Sequence, residues 1–131
     1  MNLLTFLFAF FLMEGVAWSA HKYLMHGWLW HLHKDHHTKD HYGFFEKNDY
    51  FFLIFATPGI ALLFTGIIAG VDFAYYFGLG ITIYGLAYFL VHDVFIHQRI
   101  RWFRNTDSIY FRAIRKAHKV HHKKMTKEDG E

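Results

Sequence analysis

Three long apolar runs leave this chain little choice of fold. Residues 3 to about 20 (LLTFLFAFFLMEGVAWSA), about 50 to 70 (YFFLIFATPGIALLFTGIIAG) and about 73 to 91 (FAYYFGLGITIYGLAYFLV) each approach the ~20 residues a helix needs to cross the hydrocarbon layer. A soluble core of the same composition, 53% hydrophobic and 21% aromatic, would disperse those residues along the chain instead of gathering them into blocks. Backbone polar groups inside lipid must be satisfied within the segment, so the runs predict transmembrane helices. The expected architecture is all-α: an integral membrane helical bundle of about three transmembrane helices with a cytosolic, histidine-rich helical cap. No Pro/Gly/Ser-rich or charge-only linker divides the chain, which reads as a single domain over 1–131.

The flanks of the runs set the expected topology. The first run is interrupted by Glu14 and lacks both a basic leading segment and a small-residue cleavage site, so it reads as a retained span that continues as helix toward Met25. An alternative lays it in the interface, or makes it a buried helix, and leaves the other two runs as the only crossing. Those two make a hairpin whose turn, about Ala69 to Phe73, carries only Asp72, and Gly66 and Gly70 stand in a G-x-x-x-G spacing that permits close helix approach. All 14 Lys and Arg then fall in 22–47 and 99–127. Such segregation predicts that both segments face the cytoplasm from an inner (cytoplasmic) membrane. Beyond Ile100 the chain turns polar, and its periodicity predicts a cytosolic helix from Ser108 to Lys124, capped by Asp107 or Ser108. Its basic face, with Arg99, Arg101, Arg104, Arg112, Arg115, Lys116, Lys119, Lys123 and Lys124, suits anionic membrane lipid or an acidic electron carrier. No aromatic-basic alternation marks a nucleic-acid surface.

Twelve histidines are far more than packing or solubility requires. Cysteine is absent, so any metal here sits on nitrogen and oxygen. The first block holds His21 and His26 as H-x-x-x-x-H, then His33, His36 and His37 as H-x-x-H-H. The second repeats that grammar with His92 and His97, then His118, His121 and His122. Only His31 and His41 fall outside it, as surface or hydrogen-bonding groups. A tract of adventitious histidines would cluster locally, whereas here two distant segments match in order and spacing.

On an α-helix, positions i, i+3 and i+4 share a face, so each H-x-x-H-H is expected to aim three imidazoles into one small volume. Partners five apart differ by ~140° around the axis and ~7.5 Å along it, so each H-x-x-x-x-H pair is expected to straddle two ions. Ten histidines thus suit a dinuclear centre. Imidazole alone does not choose among zinc, copper, iron and nickel. Open positions beside a lipid-filled cavity favour oxygen activation, hence two iron ions with O2 as co-substrate; zinc can replace iron in the same donor set. Near the histidines, Glu46, Asn48, Asp49 and Asp93 are candidates for orienting imidazoles by hydrogen bonds. Glu14, an ionisable group inside an apolar run and seven residues before His21, calls for a polar partner and is a further candidate to support the metal shell.

HKYLMHGW (21–28), HKDHH (33–37), GFFEKND (43–49), HDVFIHQR (92–99) and AHKVHH (117–122) together resemble, in order, the boxes of the beta-carotene hydroxylase family, within the wider fatty acid hydroxylase superfamily of membrane di-iron enzymes. The likeness runs from about Glu14 to His122. It implies a beta-carotene 3-hydroxylase that takes beta-carotene to zeaxanthin through cryptoxanthin, with the ten boxed histidines as iron ligands. It also implies a carotenoid entering from the bilayer, and electrons from a reduced ferredoxin or similar acidic carrier. In bacterial members a further hydrophobic or aromatic segment follows the last box; these 131 residues do not include one. Fatty acid or sterol hydroxylases, desaturases and carotenoid ketolases are the alternatives within the same chemistry. A membrane metal-transport or metal-binding protein is the alternative outside it.

Overall fold

The computed structural model describes residues 2–38, 43–123 and 127. Among the described residues there is no strand. Helix α1 (Asn2–Ser19) continues as a π-helical segment (Ala20–Trp28) that breaks at Gly27, where φ is −113° and ψ −112°. Helix α2 (Trp30–Thr38) follows, then α3 (Asp49–Ala69) and α4 (Asp72–Phe89). Helix α4 runs on as a second π-helical segment (Leu90–Ile96), and α5 spans Ile109–His121. Three stretches, Asn2–Trp28, Asp49–Ala69 and Asp72–Ile96, are long and apolar enough to cross a membrane, matching the three runs.

The chain forms two compact units, each built from two separate stretches: Met1–Ser19 with Asp49–Ala87, and Ala20–Asn48 with Tyr88–Glu131. In the first unit, helices meet where glycine leaves room. A methyl group on Gly66 would overlap the backbone of Tyr75, one on Gly78 would overlap Leu63 and Gly59, and one on Gly80 would overlap Phe6 and Ala9. Of the G-x-x-x-G pair, Gly66 makes the close approach. Gly70 instead takes a left-handed turn (φ +67°), and Val71 N donates to Gly66 O at 3.1 Å to close α3. The hydroxyls of Thr57, Thr65 and Thr82 each donate to the carbonyl four residues back, so these polar atoms are satisfied within an apolar helix. Glu14 finds its partner in Tyr84, whose hydroxyl donates to Oε2 at 2.9 Å, and the Tyr84 ring stands edge-on to Phe10.

In the second unit, Ser108 is the cap of α5, its Oγ accepting from Phe111 N at 3.5 Å. His122 closes the helix; Lys124, where the periodicity ended it, lies outside the described residues, as does His41. Between the second π-helical segment and α5, the backbone of Gln98 and of Phe103 adopts positive φ (56° and 53°). Arg115 holds this connection: it donates to the carbonyls of Phe95, Phe103 and Arg104 at 2.9 to 3.1 Å, and its guanidinium lies 4.2 Å from the Phe95 ring centroid.

Candidate metal centre

All the boxed histidines belong to the second unit, and its two π-helical segments decide how they meet. In the second segment His97 N donates to His92 O at 2.9 Å, and after the first Leu29 N donates to Leu24 O at 2.8 Å. Bonds that reach back five residues widen the helix beyond four residues per turn, so residues five apart return to nearly the same face. The rings of His21 and His26 are accordingly 4.8 Å apart, and those of His92 and His97 4.5 Å.

This overturns the expected division of labour. His21 and His26 do not straddle two positions; they converge with His33 and His121, and one nitrogen from each of the four lies within 4.8 Å of the others. His36, His97, His118 and His122 form a second such group. The H-x-x-H-H triplets are what divide between the groups. On an α-helix the i+3 and i+4 side chains lie ~60° to one side and ~40° to the other of residue i, a fan wide enough to serve two adjacent positions. Thus His33 joins the first group and His36 the second, while His121 joins the first and His118 and His122 the second.

His37 and His92 lie outside both groups of four but touch them. The Nε2 atoms of His37 and His33 are 3.1 Å apart, and the His37 ring stacks on His122 at 4.4 Å. His92 stacks on His36 at 5.2 Å and on Tyr88 at 4.9 Å. All ten boxed imidazoles therefore occupy one neighbourhood, and His31 is exposed, apart from either group.

The loop after α2 orients them. His36 Nδ1 donates to Glu46 Oε2 at 2.6 Å and His33 Nδ1 to Asn48 Oδ1 at 2.7 Å. Each acceptor fixes the proton on Nδ1 and leaves the Nε2 lone pair to face the centre. Asp93 accepts from His92 Nδ1 at 3.3 Å and from Arg99 Nη1 at 3.0 Å. Arg99 Nη2 reaches the carbonyl of Phe44 at 2.7 Å, joining the loop that carries Glu46 and Asn48 to the segment that carries His92. Asp35 fastens the same loop by accepting from Lys47 N at 2.7 Å. Arg99 and Arg115, placed on the basic face from sequence, thus direct their guanidinium groups inward. Asp49 lies in the first turn of α3.

Three of these imidazoles, His33, His36 and His118, are held neutral by burial. Burial pushes His33 and His118 down to about 2 from the usual 6.5; neighbouring imidazoles push the same way, and the Asn48 bond partly offsets the shift at His33. Burial and the rings of His97, His92 and His122 push His36 down as well. Neutral imidazole is the form that binds metal.

The donor set fits a cation. His118 Nε2 lies 2.8 Å from His97 Nε2 and 2.9 Å from His122 Nε2. One ring nitrogen carries either a proton or a lone pair, so both contacts cannot be full hydrogen bonds. Nitrogens bound ~2.1 Å from one ion at right angles lie ~3 Å apart, which is the spacing observed. His36 Nε2 is buried with no hydrogen-bond partner, and it belongs to the same group. A pocket of about 410 Å³ opens beside this second group, with His37, His97, His118, His122, Lys119 and Lys123 in its wall.

The sequence reading missed the π pitch and the Arg99 tie. The five-residue spacing, repeated twice, was the available signal for the first; the second spans 55 residues and has no local one.

Comparison with known proteins agrees with this geometry. The family model described as fatty acid hydroxylase matches residues 6–129. A beta-carotene hydroxylase of Pseudescherichia vulneris is 46% identical over 112 residues, covering 84% of this chain and 61% of that protein. A chloroplastic beta-carotene 3-hydroxylase of Gentiana lutea is 45% identical, covering 84% of this chain and 35% of that protein. A beta-carotene hydroxylase of Pantoea ananas is 40% identical, covering 88% and 65%. The chain thus spans less than two thirds of the length of these relatives. No solved structure matches it.

Proposed function

Because the chain belongs to the fatty acid hydroxylase family, we propose that this membrane protein is a beta-carotene 3-hydroxylase, acting on the beta-ionone rings of carotenoids at a histidine-held pair of irons. The observation that carries the reading is the convergence of two four-imidazole groups within one unit, in a chain whose relatives of 40 to 46% identity are named beta-carotene hydroxylases, the Gentiana lutea one a 3-hydroxylase. When bound, two irons supply the reduction of O2 that places one oxygen atom in a C–H bond and releases the other as water, using two electrons and two protons. The residues do the rest. The eight imidazoles of the two groups offer lone pairs, with His37 and His92 against them. Glu46, Asn48 and Asp93 keep the rings turned inward. Burial of His26, His33 and His121 shields the first group from water.

The insoluble substrate reaches the centre from the bilayer, and electrons come from ferredoxin or a similar acidic carrier on the cytoplasmic side of the inner membrane. Support for that side is the gathering of all 14 Lys and Arg into 22–47 and 99–127. The test is expression in a cell that accumulates beta-carotene, followed by pigment analysis. Hydroxylated carotenoid is expected, and it should vanish in His36→Ala. Unchanged beta-carotene from full-length, iron-loaded protein overturns the reading, and hydroxylation of supplied acyl lipids instead would move the substrate to that class.

A further inference from the structure

The two imidazole groups differ in what surrounds them, and the difference is chemical. In the first group three of four rings are enclosed, His26, His33 and His121 being 5%, 2% and 9% exposed. In the second, His97, His118 and His122 are half-buried, and all three stand in the wall of the 410 Å³ pocket; no member of the first group does. The rim of that pocket is cationic. Lys119, near the end of α5, and Lys123, just beyond it, stand four residues apart and are both exposed, and among the described residues no carboxylate lines the pocket. Gln98 completes the wall with its backbone in the left-handed region (φ 56°). A non-glycine residue keeps that conformation only where its surroundings over-determine it, which is common at functional sites.

We propose that the second group, and not the first, is the aqueous port of the centre: a small water-borne anion reaches a metal held by His36, His97, His118 and His122, drawn in by Lys119 and Lys123. This rests on the metal-centre reading above. Two ammonium groups at the mouth of a half-enclosed pocket raise the local concentration of monovalent anions and leave neutral molecules unaffected. That pocket does not reach the first group, three of whose four imidazoles are buried.

The experiment uses the full chain in detergent, loaded with cobalt(II), whose visible absorption reports its ligands. Metal analysis comes first, and two cobalt ions per chain are expected. Sodium azide is then titrated. One azide per chain should bind, altering about half of the cobalt absorption. In Lys119→Met/Lys123→Met, azide affinity should fall about fivefold at low ionic strength, with the gap closing as salt rises. Affinity for neutral imidazole should be the same in both proteins, which separates charge steering from collapse of the pocket. Two azides per chain, no azide, or an azide affinity indifferent to the lysines overturns the port. Fewer than two cobalt ions per chain overturns the dinuclear reading first, a result distinguishable from the others.

Discussion

At the scale of single residues, the centre depends on groups that never face its middle. His36 is 2% exposed, and its Nδ1 proton goes to Glu46 Oε2 at 2.6 Å. Removing that acceptor leaves a buried N–H unsatisfied and frees the ring to rotate or change tautomer, which turns the Nε2 lone pair away. Glu46→Ala should therefore lower metal affinity at the second group ~10–100-fold, with helix content by circular dichroism unchanged. Glu46→Gln retains an acceptor oxygen and should recover much of the loss. Equal loss in both variants would show that charge, not orientation, is what Glu46 contributes. Its place among the candidates was legible because it sits in a polar loop between histidine boxes. Arg99 was not legible as a tie, since nothing local in HDVFIHQR says that its guanidinium closes on the carbonyl of Phe44. Sequence showed it only as one more positive charge.

At the scale of elements, the spans and the α5 cap could be read from composition and period alone, because an apolar run of membrane length has few other fates. What could not be read was pitch. Angles drawn for 3.6 residues per turn assign His21 and His26 to different metals, whereas the wider turn of Ala20–Trp28 puts their rings 4.8 Å apart in one group. The corrected assignment makes a countable prediction. His21→Ala, His26→Ala and their double variant should each lose one bound ion of two, the same one, because both rings serve the first group. Adding His97→Ala should release the second. Loss of both ions from the His21/His26 double variant alone, measured by metal analysis, would restore the straddling arrangement and remove the role given to the π-helical segments.

At the scale of the whole molecule, charge and hydrophobicity together decide orientation. The segments 22–47 and 99–127 hold all 14 cationic side chains, while the α3–α4 turn holds Gly70 and Val71 beside Asp72. On the cytoplasmic reading proposed above, cationic flanks resist translocation, and three crossings are expected to put residue 2 and the 70–71 turn outside and residues 22–47 and 99–127 inside. The absence of cysteine allows a direct measurement, because any introduced thiol is the only one. In right-side-out vesicles a membrane-impermeant maleimide should label Asn2→Cys and Val71→Cys but not Asn105→Cys; inverted vesicles should give the reverse. Labelling of Asn2→Cys from the cytoplasmic side, with Val71→Cys still labelled from outside, would leave the α3–α4 hairpin as the only crossing and lay α1 in the interface. Labelling of Asn105→Cys from outside would place α5 and its histidines away from the cytoplasm, and a cytoplasmic electron carrier could then not supply the centre.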